Sequence, residues 1–305
     1  MIKGLAITPP VLGRITIGRV IEKDGKRLPE KDDQFTITSQ IQTRDGWLVH
    51  PLDEELRARA DSKKLRAIPV RMLFNDADLN LRAEYSLFDR NTGRPVCVGN
   101  GETCRRSTVT GIEQLPCPSP SACELGKKGG CKPYGRLNVR IGDDDELGTF
   151  IFRTTGYNSI RSLIARLRYF QALSGNLLSC LPLEMRLRGK STTQSHRTPI
   201  YYADLTVREG MSIEGAMQEA KATHAKRLEA GLDQEALDEA ARVGFENSAF
   251  EDDEEEETPA ILEEFYPAED GGSQAEAISA NRPPVRLGLK EKLAQRSEAA
   301  GQQVA

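Results

Sequence analysis

Histidine is scarce in this chain, with three among 305 residues at positions 50, 196 and 224, none in an HExxH or HxE arrangement. Histidine-based catalytic zinc chemistry therefore has no visible foundation. The sequence also lacks GxSxG, GxxxxGK[ST] and a helix-opening GxGxxG, which removes a nucleophile elbow and a phosphate-cradling loop. No uninterrupted apolar run approaches the roughly 18 residues that a bilayer-spanning helix needs. The opening MIKGLAITPPVLGRITIG has no long apolar stretch and no small-residue cleavage site, so no secretory leader is expected and the expected setting is the cytoplasm. There the six cysteines, at 97, 104, 117, 123, 131 and 180, point to metal binding or catalysis rather than to disulfides.

The chain has enough apolar residues for a core, 38% without glycine, and a net charge of −4 that hides a split. Residues 1–210 carry 33 Lys and Arg against 24 Asp and Glu, while residues 211–305 carry 9 against 22. A basic body with an acidic appendage is expected. Short alternating segments at 35–41, 47–49, 68–74, 79–88, 96–98, 136–141, 148–154, 183–188 and 200–207 predict strands, several separated by turn signals such as Asp45-Gly46. Ile160, Leu163, Ile164, Leu167 and Phe170 predict a helix to about Leu173, capped by Asn158 or Ser159. The body, 1–210, thus reads as α+β with a mainly antiparallel sheet. Residues 211–244 read as a helical extension, with an apolar stripe of Leu232, Ala236, Leu237, Ala240 and Val243. Residues 245–305 read as an acidic and largely disordered tail, because Glu251–Glu257 is all acidic and large apolar residues are few.

The sharpest chemical signal is Cys117-Pro-Ser-Pro-Ser-Ala-Cys123 followed, after seven intervening residues, by Cys131, in a loop, 97–133, rich in Pro, Gly and Ser. Such a segment has little core of its own, and a structural zinc ion supplies what burial cannot. Zinc asks for a fourth ligand, for which Cys97 leads and Cys104 is the rival. Four thiolates close the coordination shell, so no catalysis is expected at this metal. Cys180 reads as a plain buried thiol. A metal-dependent hydrolase or nuclease remains the alternative, and it would draw on Asp143, Asp144, Asp145 and Glu146.

Between Leu147 and Ala203 eight cations, Arg153, Arg161, Arg166, Arg168, Arg186, Arg188, Lys190 and Arg197, face one acid, Glu184. This helix and hairpin, 147–208, are the candidate face for DNA or an acidic partner, with Tyr157, Tyr169, Tyr201 and Tyr202 as nearby stacking rings. An adaptor or single-stranded DNA-binding role is a further alternative. The acidic run could fold back on the face as a backbone mimic.

One ordered set of motifs carries a family resemblance: Cys97-Val-Gly-Asn-Gly-Glu102, then Cys117-Pro-x4-Cys123-x7-Cys131-Lys-Pro133, then Gly135-Arg-Leu-Asn-Val-Arg140. Gly148-Thr-Phe-Ile-Phe-Arg-Thr-Thr155, Asn158-Ser-Ile160 and Leu181-Pro-Leu-Glu-Met-Arg186 complete it. Over residues 10–208 the chain resembles the phage recombination directionality factor-like family, zinc-motif proteins that partner large serine integrases and are also labelled hydrolase or metal-binding protein on integrative elements. The resemblance implies a metal set of Cys97, Cys117, Cys123 and Cys131, with Cys104 outside it. It also implies a non-catalytic accessory of phage or mobile-element recombination that binds a recombinase, DNA or both.

Overall fold

Apolar residues at every second position pair the first two strands face to face, with Ile15 opposite Ile37 and Ile17 opposite Phe35. A computed structural model describes residues 10–23, 26–43, 46–60, 64–143, 148–191, 199–245, 261–262 and 265–266. In chain order the elements begin with β1 (Val11–Lys23), β2 (Lys26–Thr43), β3 (Gly46–Val49), α1 (Pro51–Arg59), β4 (Ala67–Arg71), α2 (Ala77–Asn80) and β5 (Leu81–Phe88). The cysteine region contributes β6 (Pro95–Gly99), β7 (Thr103–Thr108), β8 (Gly111–Pro116), α3 (Ser119–Ala122) and α4 (Glu124–Gly129). Then come β9 (Lys132–Ile141), β10 (Thr149–Thr154), α5 (Tyr157–Leu173), a single 3-10 turn Leu178–Cys180, β11 (Leu183–Lys190), β12 (Ile200–Val207), α6 (Ile213–Glu229) and α7 (Gln234–Phe245).

The strands form one mixed sheet in the order β3-β2-β1-β10-β9-β5-β6-β7-β8, with β4, β11 and β12 branching from β9. Among the described residues, β1 and β10 pair in parallel and the other pairings are antiparallel. The expected α+β class with a mainly antiparallel sheet is what the chain adopts. Strand β9 joins its parts. Residues 132–137 pair with β5, 135–139 with β10, and Arg140 and Ile141 with β4. Strand β4 meets β11 along 67–70 but β9 only at Val70 and Arg71. Pro69, which has no N–H to give, sits where the β9 pairing ends, its carbonyl taking a last bond from Gly142 N–H at 3.0 Å.

The apolar stripe of α5 is seated as its period demands: Ile160, Leu163, Leu167 and Phe170 are buried and Ile164 packs on the core beside them. That core also holds Leu137, Val139, Phe152, Met185 and Leu205, all essentially without solvent contact. The helix start differs from expectation. Gly156 is the capping position and makes no side-chain cap bond. Ser159 instead accepts a hydrogen bond from Ala203 N–H at 3.1 Å, and Asn158 accepts one from Lys190 Nζ at 2.6 Å. Both candidate caps are thus committed to the neighbouring hairpin.

Two further differences have local causes. The strand expected over 68–74 stops at Arg71 because fully buried Asn80 captures the chain there. Its Oδ1 accepts from Leu73 and Phe74 N–H at 2.9 and 3.1 Å, and its Nδ2 donates to Phe74 and Asp76 carbonyls at 2.8 Å. Helix α7 does not dock through the leucine-bearing stripe: Leu232, Leu237 and Val243 are exposed. It docks through Gln234, Asp238 and Ala241, which are buried. Gln234 donates to Leu73 O at 3.1 Å and to Asp238 at 2.7 Å, and Asp238 accepts from Asn75 N–H at 3.0 Å.

Burial raises the Asp238 carboxyl above the ordinary Asp range, against the opposing hydrogen bonds from Gln234 and the 75–76 backbone. An acid with a raised folded-state pKa stabilises most fully below its unfolded pKa, about 4, and loses that contribution as pH rises through the folded value. Protection of α7 amides from hydrogen exchange is therefore expected to fall from pH 4 toward neutrality. Asp238→Asn should flatten that dependence, and an unchanged pH profile in the variant would remove Asp238 as its origin.

Candidate metal centre and basic face

Strands β6 and β7 place Cys97 opposite Arg106 and Gly99 opposite Cys104. Directly opposed residues of an antiparallel pair point to the same side, so Cys97, Cys104 and Arg106 share one face over Gly99. A side chain at Gly99 would bring its Cβ to 2.6 Å from the Cys104 Cβ and 3.0 Å from the Cys117 Sγ. The β7–β8 hairpin, which the polar sequences TCRRST and GIEQLP gave no sign of, delivers Cys117 to this face, where its N–H donates to Glu102 O at 2.8 Å. Cys123 then caps α4, its Sγ accepting from Gly126 N–H at 3.4 Å, and Cys131 N–H donates to Gly126 O at 3.1 Å. A Cβ at Gly126 would sit 3.3 Å from the Cβ atoms of both Cys123 and Cys131. A larger residue there would force the two cysteines apart by a few tenths of an ångström.

Cys97, Cys117, Cys123 and Cys131 line a single cavity with Tyr85 and Arg106, and its volume is about 20 Å³, room for one ion-sized body. Cys104 does not line it. Cys104 lies on the same face, buried beside Leu87 and Cys97, its Sγ 3.7 Å from Pro116 O. Burial, with the neighbouring sulfurs adding to it, pushes the Cys131 thiol up to about 12 and Cys104 up to about 11. Arg106 is the counter-charge. Its guanidinium is held charged chiefly by Cys97, with a contact to Cys123 Sγ at 3.9 Å, while its buried Nε has no acceptor. A cation with an unused donor among thiols fits a site that carries negative charge when filled. Soft, all-sulfur donors, four around one cavity, are the kind of set that would suit a structural zinc ion. Among the described residues, however, no group of three or more His, Cys, Asp or Glu is already arranged to hold a metal ion. Cys180 stands apart, buried in the main core.

The eight expected cations do not form one open field. Asp204 on β12 is buried and accepts from Ser162 Oγ at 2.7 Å and Arg166 Nε at 3.1 Å; Arg188 Nε lies 3.5 Å away. Arg166 and Arg188 are thereby gathered on one carboxylate while remaining about half exposed, 50% and 44%. Lys190 lies beside them on β11, tied to Asn158 and 5.9 Å from the centre of the Tyr202 ring. Arg161 is exposed on α5. Arg168 instead reaches Asp78 at 3.2 Å, and Arg186 reaches Glu184 at 2.6 Å and Glu209 at 3.3 Å. Arg153 is half-buried in β10, and Arg197 with His196 lies outside the described residues. The charge excess counted along the segment is offset by acids that the count did not reach: Asp204 one residue beyond it, Asp78 and Glu209 farther off. Asp204 itself carried a signal, since an aspartate inside a strand is disfavoured unless something holds it.

The acidic cluster of the nuclease alternative is only partly described. Asp143 accepts from Arg208 at 2.5 and 3.0 Å and from Arg71 Nε at 2.8 Å. Arg208, then Arg71, keep its carboxyl below the usual range against burial. Two guanidiniums thus occupy the oxygens that a divalent ion would need. Asp144, Asp145 and Glu146 lie outside the described residues. Among the described residues, no helix is long and apolar enough to cross a membrane.

The sequence model described as Gp3-like, recombination directionality factor-like, matches residues 12–208, which takes in the cysteine cavity and the Asp204 pair. Neither the curated proteins nor the solved structures compared with the chain gave a match. With about two thirds of its length matched, from β1 to the end of β12, the chain belongs to the recombination directionality factor-like family.

Proposed function

We propose that this protein is a non-catalytic accessory of phage or mobile-element DNA recombination that binds a recombinase, DNA backbone or both. In this reading Cys97, Cys117, Cys123 and Cys131 hold a structural zinc ion that fixes the β6–α4 module, with Arg106 offsetting the charge of the thiolates. The ion would brace a segment with little apolar core; with four sulfurs around it, no position stays open for water. Family membership supports the recombination setting.

The observation that carries the binding reading is the arginine pair on Asp204. The buried carboxylate engages both side chains through Nε, which leaves their terminal nitrogens for an incoming anion. An arginine held at its inner nitrogen presents a fixed fork, and a phosphate oxygen pair matches that fork. Lys190 and Arg161 extend the cation set toward the start of α5.

A DNA-shift series on the full chain between 50 and 200 mM salt tests this directly. Each phosphate contact contributes about 0.9 to the slope of log affinity against log salt. Arg166→Gln with Arg188→Gln should weaken binding and lower the slope by about 2, whereas Arg168→Gln, engaged by Asp78, should change it little. An unaltered slope in the double variant would overturn the DNA contact at this face. Capture of the recombinase by the wild type and not by the same double variant would then assign the pair to the protein partner.

A further inference from the structure

The described part of the tail resumes at an unexpected place. Ile261 and Phe265, four residues apart, are buried against Phe88 at the end of β5 and Tyr134 on β9. The rings of Phe88, Tyr134 and Phe265 form a closed trio, every pair edge-to-face, with centroids 4.6 to 5.6 Å apart. Such pairs contribute beyond their buried area. The segment is one helical turn, Tyr266 N–H donating to Leu262 O at 2.8 Å. Its end is held by the body: Lys132 Nζ donates to Phe265 O at 2.7 Å, and Tyr266 Oη donates to Phe88 O at 2.6 Å. Arg90 lies 4.5 Å from the centre of the Tyr266 ring.

We infer that the hollow between Phe88 and Tyr134, rimmed by Arg90 and Lys132, is a peptide-binding site for an acidic segment with the pattern Ile-x3-Phe-Tyr, and that the chain's own tail is its resident, exchangeable ligand. Anchors at i and i+4 are how a short helix reads a groove. The cationic rim suits this peptide in particular, because Glu263 and Glu264 stand between the anchors and Glu251–Glu257 precedes them. The ligand is also a separable piece of chain. Fifteen residues, 246–260, separate α7 from Ile261 along the sequence. A tethered ligand of this kind competes at an effective concentration near millimolar, so it keeps other peptides out until it is removed. The site goes beyond the recombination reading and lies off both the cysteine cavity and the Asp204 pair.

Anisotropy of a labelled peptide spanning residues 256–268, titrated with full-length protein, tests the inference. Wild-type chain should bind it at least about tenfold more weakly than full-length Phe265→Ala, whose own ligand has lost its central anchor. The peptide carrying the same Phe265→Ala change should lose binding to that open form. Ile261→Ala provides a second route to the open form, and circular dichroism checks that the body stays folded in both. Equal binding to wild type and both variants would overturn the resident-ligand assignment. No binding to either folded variant would overturn the pocket. Neither result bears on whether the chain acts in recombination, which the DNA-shift and recombinase assays read separately.

Discussion

Serine at Cys117 is expected to leave the purified chain without zinc, where the wild type should carry about one equivalent. Four sulfurs border one small cavity, and on the proposed zinc reading an oxygen in place of one thiolate would remove a soft ligand from the set. Metal binding at such sites supplies folding free energy, on the order of 10 kcal/mol or more for small zinc modules, and the segment from β6 to α4 has little else. Its satellite cluster is Leu87, Cys97 and Cys104 with a few half-buried neighbours, and Val109 and Ile112 at the hairpin tip are exposed. Proteolysis should therefore cut between residues 103 and 130 in Cys117→Ser and in chelator-treated wild type, while the main core stays intact. Cys131→Ser and Cys97→Ser should behave the same way. Cys104→Ser should keep its zinc, because Cys104 does not line the cavity. Zinc retained in Cys97→Ser and lost in Cys104→Ser would exchange the two assignments. Zinc absent from freshly purified wild type, and not taken up on addition, would remove the metal altogether.

What the sequence disclosed about this fold follows from the range of the interactions involved. The α5 stripe was legible because a helix repeats its buried position every three to four residues, and Ile160, Leu163, Leu167 and Phe170 keep that period. The thiols were legible because Cys117, Cys123 and Cys131 lie close in the chain and in a segment with no rival use for them. The β7–β8 hairpin was not. A strand with little core to face has no need of apolar alternation, and Thr103–Thr108 and Gly111–Pro116 are held mainly by their ladder. Helix α7 misled for the converse reason. The sequence showed a thin apolar stripe there, yet it is Gln234 and Asp238 that bind the Leu73 carbonyl and the Asn75 N–H, backbone groups that must find partners once buried. The charge count located Arg166 and Arg188 but could not see that Asp204 gathers them, nor that Asp78 and Glu209 draw Arg168 and Arg186 away. Side chains that meet across more than twenty residues leave no local period to read. For the tail, composition spoke of a solvated acidic stretch, and the average concealed Ile261, Phe265 and Tyr266, three apolar anchors that need no regular pattern around them.

Arg71 illustrates the same point within the main body of the fold. It ends β4, is nearly without solvent contact, and spends its guanidinium on three distant parts of the chain. Nε and Nη2 engage Asp143 at 2.8 and 2.7 Å, Nη2 engages Glu219 on α6 at 2.5 Å, and Nη1 donates to the buried Cys180 carbonyl at 2.6 Å. Methionine in its place would fill much of the volume and leave that carbonyl without a partner, a cost of roughly 1–3 kcal/mol by itself. Loss of the two ion pairs adds less than a fully buried triad would, because Asp143 and Glu219 are themselves 54% and 37% exposed and can turn to water. Arg71→Met is thus expected to destabilise the chain by about 2–3 kcal/mol, a fall of roughly 5–10 °C in melting temperature for a body of this size. Glu219→Gln, which removes one half-exposed partner, should cost less than about 1 kcal/mol. The ordering matters more than either value, since it separates a buried junction from an accumulation of surface pairs. If Glu219→Gln proved as damaging as Arg71→Met, the stability would reside in the α6 contact, and the Cys180 carbonyl would have found water instead. If Arg71→Met left the melting temperature in place, the guanidinium would be a passenger in a junction held by the other α6 contacts, among them Ala216, Met217 and Ala220 on the main core and Arg227 on Ser179 and Cys180.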